Sequence, residues 1–275
     1  MNRMFILLVV IVIVLILWIL AVGGRRGAGR IHELDGWLYA HRGYHMEPDA
    51  PENSAAAFRL AAERGFGAEL DVHLLSDGNL AVLHDSSLKR MTGEALTIED
   101  LTVQDLKDHF LGKSRETIPA LEQVLEIFQG KAPLIIELKT HKGNHAALCQ
   151  AVCRALEGYK GLYCIESFDP KVLRWLRKNC PEIIRGQLST NFFREDANLS
   201  FPLALLGTCM LENFLTRPDF IAYRFKYRKQ PSNWICLKLW RLSGASWTIR
   251  SADELRAAQK EGLWPIFENF DPMEK

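Results

Sequence analysis

Eight short apolar segments alternate with helical segments along this chain, and this alternation constrains the fold more than any other feature. Apolar runs of strand length are typical of strands that are covered on both faces, as in a parallel sheet. Eight such strands linked by helices predict a parallel (β/α)8 barrel, for which 275 residues are sufficient. The predicted strands are marked by His41, Glu69, Glu137, Ser167, Gln187, Ala222, Trp247 and Ile266.

The second predicted strand continues into a hairpin. Apolar and polar side chains alternate over residues 69–74, which is the period of a strand. Asp77-Gly78 is a strong signal for a two-residue turn, because glycine accepts a positive φ. With those two residues as the whole loop, the register that follows places Asp71 opposite His84. A shift of one residue in this register is expected to turn His84 away.

Unusual polar side chains lie at the ends of three predicted strands. The returning strand of the hairpin adds one more, His84. In a parallel barrel the C-terminal ends of all strands meet at one mouth, which is where active sites lie. Taken singly, each residue has a structural explanation, such as a core histidine or a surface ion pair. Their convergence favours function instead. The residues are His41, Arg42, Glu69, Asp71, His84, Glu137 and Lys139.

The acidic members of this group predict a metal site. Glu69, Asp71 and Glu137 supply oxygen ligands and no sulfur. Such a set favours a hard divalent cation, Mg2+ or Ca2+, over zinc. A divalent cation binds a phosphoryl oxygen and offsets negative charge in a transition state.

The basic members and the histidines predict chemistry on a phosphodiester. Arg42 can hold a phosphate through paired donors, and Lys139 supplies a point charge. His41 and His84 suit a general base and a general acid, since the pKa of histidine lies near neutrality. We therefore expect a site that cleaves phosphodiesters.

Composition gives information on nucleic-acid binding and on the redox state of the compartment. The net charge of +1 gives no support for nucleic-acid binding. Six cysteines occur without CxxC spacing, which is typical of buried free thiols in a reducing compartment.

An uninterrupted apolar run over residues 5–22 predicts a membrane anchor. As a helix it is about 27 Å long, which suits one bilayer crossing. A signal peptide is the alternative, with 21–23 as a weak cleavage site. The run is followed by Arg25, Arg26 and Arg30 and preceded by Arg3 alone, so the positive-inside rule predicts a cytoplasmic catalytic domain. We expect an anchor and flexible basic linker over 1–30 and a catalytic domain over 31–275.

Short motifs follow one another along residues 38–270: His41-Arg42-Gly43, Pro51-Glu52-Asn53-Ser54, Glu69-Leu70-Asp71-Val72, Asp77-Gly78, His84-Asp85, Arg90-Met91-Thr92-Gly93, Ile136-Glu137-Leu138-Lys139, Ser167-Phe168-Asp169 and Trp247-Thr248. In this combination the chain resembles the glycerophosphodiester phosphodiesterase family. The resemblance implies a distorted TIM barrel that hydrolyses glycerophosphodiesters to glycerol 3-phosphate and an alcohol, with one divalent cation, Mg2+ or Ca2+.

The resemblance also implies roles for individual residues. The implied acid/base pair is His41 and His84. The implied metal ligands are Glu69, Asp71 and Glu137. Residues 86–118 take the place of a small insertion over the barrel. The implied substrate contacts are Arg42 and Lys139 for the phosphate and Phe168 and Trp247 for the glycerol.

Two stretches depart from the family pattern. The closing segment, 262–269, retains a strand but changes its polar end, where Glu268 or Asn269 is expected to take over part of the role. Residues 190–245 diverge and are rich in aromatic side chains. A bilayer anchor would bring the barrel mouth near lipid, so lysophospholipids, cleaved in the manner of a lysophospholipase D, or polyglycerol phosphate are alternative substrates. The altered last strand leaves a further alternative, a non-catalytic, membrane-tethered binding protein. Two intact histidines argue against a pure binder.

Overall fold

A closed barrel of eight parallel strands forms the centre of the molecule, as the sequence predicted. The computed structural model describes residues 3–25, 27–195 and 199–274. Strand β1 pairs in parallel with both β2 and β9, which closes the barrel. Strand β3 lies outside it and pairs antiparallel with β2. The strands are β1 (Tyr39–His41), β2 (Gly67–Leu74), β3 (Leu80–Val82), β4 (Leu134–Leu138), β5 (Tyr163–Ser167), β6 (Arg185–Ser189), β7 (Phe220–Arg224), β8 (Ser243–Ile249) and β9 (Trp264–Phe267).

Helices join the strands and cover the outside of the barrel. Side chains cap three of these helices: Ser54 caps α2, Asp169 caps α6, and Ser251 caps α10, each by accepting a backbone hydrogen bond. The helices are α1 (Arg3–Ala21), α2 (Ala55–Glu63), α3 (Lys89–Thr92), α4 (Leu121–Phe128), α5 (His145–Ala155), α6 (Pro170–Asn179), α7 (Phe201–Thr208), α8 (Asn213–Thr216), α9 (Pro231–Trp234) and α10 (Ala252–Glu261). A π-helix, Ile235–Leu239, continues α9.

The hairpin after β2 has a different register from the predicted one. Val72 faces Val82, and the backbone N–H of Leu83 donates to the carbonyl of Asp71, so Leu83, not His84, lies opposite Asp71. The loop has three residues, closed by a bond from the Leu75 N–H to the Asn79 carbonyl. A left-handed glycine suits such a loop as well as a two-residue one. His84 still reaches the active-site cavity, because the strand ends before it.

The chain directly after α1 packs against the barrel, where the sequence predicted a flexible linker. Val22 is fully buried, and Arg25 forms a salt bridge with the buried Asp219. A Cβ on Gly24 would lie 2.2 Å from the Pro218 carbonyl oxygen, so this glycine allows close packing rather than mobility. Arg26 lies outside the described residues. Three apolar side chains then join the cluster inside the barrel: Ala28, Ile31 and Leu34.

Residues 86–118 form a layer beside the hairpin with a small core of their own. Leu88, Ile98 and Leu106 are buried together against Leu75 and Leu83. The segment contains a short 3-10 turn, Asp105–Asp108. This segment therefore supports the hairpin that carries His84.

Helix α1 extends away from the barrel, and its side chains are largely exposed. Among the described residues it is the one helix long and apolar enough to cross a membrane. Its length and composition by themselves also fit a signal sequence. Its C-terminal end packs on the outer side of β7 and on the segment from Met210 to Leu242.

Candidate active site

Three carboxylates converge at the C-terminal mouth of the barrel. One oxygen from each of Glu69, Asp71 and Glu137 lies within 4.8 Å of the other two. All three residues are buried. Strand register produces the convergence, since Asp71 of β2 pairs directly beside Glu137 of β4.

The electrostatics of this cluster suit a bound cation. Burial, and then repulsion from the other two acids, raises the pKa of Glu69 well above its usual value. Burial also raises the pKa of Glu137, against the opposing effect of Lys139. Burial alone would raise the pKa of Asp71 too, but nearby cations, Lys139 foremost, outweigh it and hold that pKa below its usual range. A divalent ion bound to these oxygens would allow all three acids to ionise together.

Two basic side chains border the acids. The Lys139 Nζ atom lies 2.9 Å from Asp71 Oδ1 and 2.7 Å from Glu137 Oε1. Arg42 Nη1 donates to Glu52 at 2.7 Å, while its buried Nε lies 3.5 Å from Asp71 and makes no hydrogen bond within the described part of the chain. Three carboxylates thus face two cations, so a divalent ion would make the mouth attractive to a phosphodiester anion.

His41 is held by a carboxylate from the last strand segment. Its Nδ1 hydrogen-bonds to Glu268, and Arg250 Nε donates to the other oxygen of Glu268 at 2.8 Å. The His41 Nε2 atom then faces the acid cluster, 3.8 Å from Glu69. Burial lowers the pKa of His41, and the Glu268 hydrogen bond opposes this effect in part. Burial raises the pKa of Glu268, but the hydrogen bond from His41 prevails and lowers it to about 2.

His84 has the same kind of support from a different part of the chain. Its Nδ1 lies 2.6 Å from Asp85 Oδ1, and Arg90 Nε donates to the other Asp85 oxygen at 2.5 Å. Burial lowers the pKa of His84, while Asp71 opposes the shift. Each histidine therefore has Nδ1 fixed by an arginine-bound carboxylate, which leaves Nε2 for exchange of a proton.

A cavity of about 620 Å³ opens above these groups. On one side Phe168 and Trp247 meet edge to face, with ring centroids 5.8 Å apart. The Arg224 guanidinium lies over the Trp247 ring at 5.6 Å. The cavity therefore combines an apolar wall with a charged floor, which suits a small substrate that carries an anionic centre.

The structure gathers the predicted site residues in one place. Asp71 lies in the buried acid cluster, and the others line the cavity: His41, Arg42, Glu69, His84, Glu137, Lys139, Phe168 and Trp247. Their roles stay predictions. Of the two residues suggested for the altered last strand, Glu268 contacts His41, and Asn269 lines the cavity.

Sequence reasoning missed several groups around the site. Glu166 of β5 is buried beside Glu137, and its Oε2 makes no hydrogen bond within the described residues. Burial, then Glu137, raises the pKa of Glu166 well above its usual value. An acid inside an apolar strand was a visible signal for it. Of the arginines behind the histidines, Arg90 stood in a quoted motif without an assigned role, and Arg250 had no such signal, because its partner comes from tertiary packing.

Comparison with known proteins places this geometry in a family. Residues 41–208, more than half of the chain, match the model of the glycerophosphoryl diester phosphodiesterase family. A glycerophosphodiester phosphodiesterase of Caldanaerobacter subterraneus subsp. tengcongensis is 33% identical over 164 residues, which cover 55% of this chain and 65% of the relative. One from Bacillus altitudinis is 32% identical over 157 residues, covering 53% and 63%. The matches thus span just under two thirds of the length of these relatives.

A solved structure shares the fold. An Oleispira antarctica phosphodiesterase, in complex with the product sn-glycerol-3-phosphate, superimposes with a TM-score of 0.69 at 24% identity. The superposition covers 86% of this chain and 94% of that structure.

Proposed function

This chain belongs to the glycerophosphoryl diester phosphodiesterase family, and from that premise we propose that it hydrolyses glycerophosphodiesters to glycerol 3-phosphate and an alcohol. One observation carries the proposal: three buried carboxylates and two carboxylate-bound histidines share one barrel mouth. The sn-glycerol-3-phosphate product in the related Oleispira protein supports the same substrate class.

Glu69, Asp71 and Glu137 would hold one divalent cation, Mg2+ or Ca2+. The all-oxygen donor set and the burial of the three acids fit such an ion. When bound, the ion supplies positive charge that stabilises the developing negative charge on the phosphate. Arg42 and Lys139 add charge-assisted hydrogen bonds to the phosphate oxygens.

His41 and His84 would move the protons. One histidine takes a proton from the attacking water as a new P–O bond forms, and the other gives a proton to the leaving alcohol as the old P–O bond breaks. The base must enter the reaction neutral, a form that burial favours by lowering the pKa of both imidazoles, whereas the acid must enter it with a proton on Nε2. Glu268 and Asp85 stabilise whichever imidazole becomes charged.

Phe168 and Trp247 would bind the glycerol part of the substrate. Their rings form an apolar part of the cavity wall. Contact with the CH groups of glycerol on this wall would leave the phosphate over the charged floor.

The product distribution tests this proposal. Purified full-length protein is incubated with glycerophosphocholine, and the products are separated. We expect glycerol 3-phosphate and choline. Phosphocholine and glycerol would mean cleavage on the other side of phosphorus, and tight binding without turnover across a panel of diesters would support the binding-protein alternative instead.

A second candidate function is hydrolysis of lysophospholipids. A row of aromatic rings favours it: Phe168 meets Phe192 at 6.2 Å, and Phe192 packs against Gly207 of α7, where a Cβ would lie 2.5 Å from the ring. This row leads from the cavity to an apolar face of the protein. A preference for acylated over deacylated substrates would establish this candidate.

We also propose that α1 anchors the protein in the cell membrane, with the barrel on the cytoplasmic side. The run of apolar residues supports a bilayer crossing, and the tight packing of Val22 and Gly24 supports retention of the helix. Protease protection in sealed membranes, with a tag at each end, distinguishes this topology from a cleaved signal sequence.

A further inference from the structure

Outside α1, most of the exposed large hydrophobic side chains that the structure describes lie between Phe193 and Leu239. A soluble surface scatters such side chains, whereas a contiguous patch marks an interaction site. We define the α7–α8 surface by six of these residues: Phe201, Leu203, Leu205, Leu206, Phe214 and Leu215. Phe201 is 70% exposed, and Phe214 is 59% exposed.

This surface lies beside the proposed membrane helix. Leu205, Cys209 and Leu211 share an apolar groove with α1, which contributes Val14 through Ala21 to the other side. The Trp18 Nε1 atom donates to the carbonyl of Cys209 at 3.1 Å, which fixes α1 to the end of α7. The two apolar elements are therefore one continuous surface.

Two tryptophans near the end of α1 indicate how deeply this helix lies in the proposed membrane. Trp18 lies in the last turn, and Trp240 Nε1 donates to the carbonyl of Ile19 at 2.8 Å. Tryptophan prefers the boundary between headgroups and hydrocarbon. The groove reaches Val14, about 6 Å deeper along the helix axis. Interfacial helices bury their apolar faces to a similar depth.

Basic side chains border the same surface. Residues 217–241 contain seven Lys or Arg residues, of which Arg224 lines the active-site cavity and pairs with Glu195, and Arg228 pairs with Glu261. The one acidic residue of this stretch, Asp219, pairs with Arg25. Arg177 on α6 donates to the Leu215 carbonyl, and Arg217 lies over the Phe214 ring at 5.6 Å. An apolar centre with a basic border complements an anionic bilayer.

We propose that the α7–α8 surface is embedded in the outer few ångströms of the bilayer, so that the barrel is held against the membrane as well as tethered to it. The occupant is lipid, because the surface continues an apolar helix of bilayer length and carries a basic border. This inference rests on the proposed membrane anchor and not on the proposed reaction.

Photo-crosslinking to lipid tests the proposal. A benzophenone amino acid replaces Leu203 or Phe214 in the full-length protein, which is reconstituted into phosphatidylcholine–phosphatidylglycerol vesicles that contain a tagged lipid. Leu8 of α1 serves as the reporter for the anchor. Leu96 and Phe110 in the insertion serve as matched controls, since both are exposed hydrophobic residues far from α1 in the fold.

We expect lipid adducts at 203 and 214 at several times the yield at 96 and 110. Yields at 203 and 214 no higher than the controls overturn the proposal, whatever the result at Leu8. A covalent dimer of the chain in place of lipid adducts also overturns it, since a second copy would then cover the surface. Labelling at Leu8 reports separately on the anchor, and a thermal unfolding transition like that of the wild type shows that each variant is folded.

Discussion

The Nδ1 atom of His41 hydrogen-bonds to the carboxylate of Glu268, although 227 positions separate the two residues in the chain. Closure of the barrel brings them together, because β1 and β9 are neighbouring strands. A carboxylate at Nδ1 fixes the tautomer of the imidazole and stabilises its charged form. His41 is therefore prepared for proton transfer through Nε2.

We predict that Glu268→Gln lowers kcat by on the order of 10², with little change in KM, because the amide neither carries the charge nor enforces the tautomer. Steady-state kinetics on glycerophosphocholine measure the effect. Glu254→Gln is the matched control, since Glu254 accepts a bond from the Arg250 backbone but does not contact His41. Equal effects of the two substitutions would remove the positioning role of Glu268.

The alanine variants of the two histidines are expected to differ in how their rates respond to a better leaving group. His41→Ala and His84→Ala should each lower kcat on glycerophosphocholine by roughly 10²–10⁴. With a 4-nitrophenyl diester, whose leaving group needs no proton, we expect the variant that lacks the general acid to regain most of its rate. The variant that lacks the general base should not. Recovery by both variants, or by neither, would contradict a divided acid/base pair.

Lys139 is expected to stabilise the protein most when no metal is bound. Its ammonium contacts two buried carboxylates, so Lys139→Ala should lower the free energy of unfolding by about 3 kcal/mol in the presence of chelator. Added Mg2+ or Ca2+ should recover part of this loss, because the ion replaces the missing positive charge. Thermal unfolding in detergent measures both effects, with the exposed Lys131→Ala as control. An unchanged melting temperature in chelator would contradict the predicted charge balance.

Glu212 is expected to make stability fall as pH rises. It lies between α7 and α8, and burial raises its pKa to about 7. Below the pKa of the unfolded state the acid is protonated in both states and costs nothing. As pH rises from about 4.5 to about 7, the unfolded chain releases the proton while the folded chain keeps it, so stability falls across this range. Glu212→Gln should therefore stabilise the fold at pH 8 by at most about 3 kcal/mol.

The same substitution should have little effect on unfolding at pH 4.5. Thermal unfolding at the two pH values in one detergent measures the difference, with the exposed Glu126→Gln as control. A stabilisation that is equal at both pH values would contradict a buried, titrating carboxyl at this position.

The sequence predicted the barrel because its apolar runs of strand length and its helical links are local patterns. It also predicted the convergence of His41, Glu69 and Glu137, since strand ends in a parallel barrel share one mouth. The sequence did not predict the hairpin register correctly. One glycine fits loops of two or three residues. In the observed three-residue loop the Ser76 N–H donates to the carbonyl of Leu101, a partner that lies in the insertion and outside the hairpin.

The junction after α1 shows a second limit of the sequence. Glycines and arginines over residues 23–29 are typical of a mobile linker. Their packing depends on partners nearly two hundred positions away, such as Pro218 and Asp219, which no local pattern reveals. The partner of His41 was unpredictable in the same way, apart from the departure of the last strand from the family pattern.

Metal-dependent release of glycerol 3-phosphate tests the central claim most directly. Full-length protein is treated with chelator, dialysed, and assayed on glycerophosphocholine before and after addition of Mg2+ or Ca2+, with ion binding to the wild type and to Asp71→Asn measured in parallel by calorimetry. We predict no glycerol 3-phosphate without metal, recovery of activity with one or both ions, and loss of ion binding in Asp71→Asn. Full activity in chelator, with no ion bound to the wild type, would contradict the account.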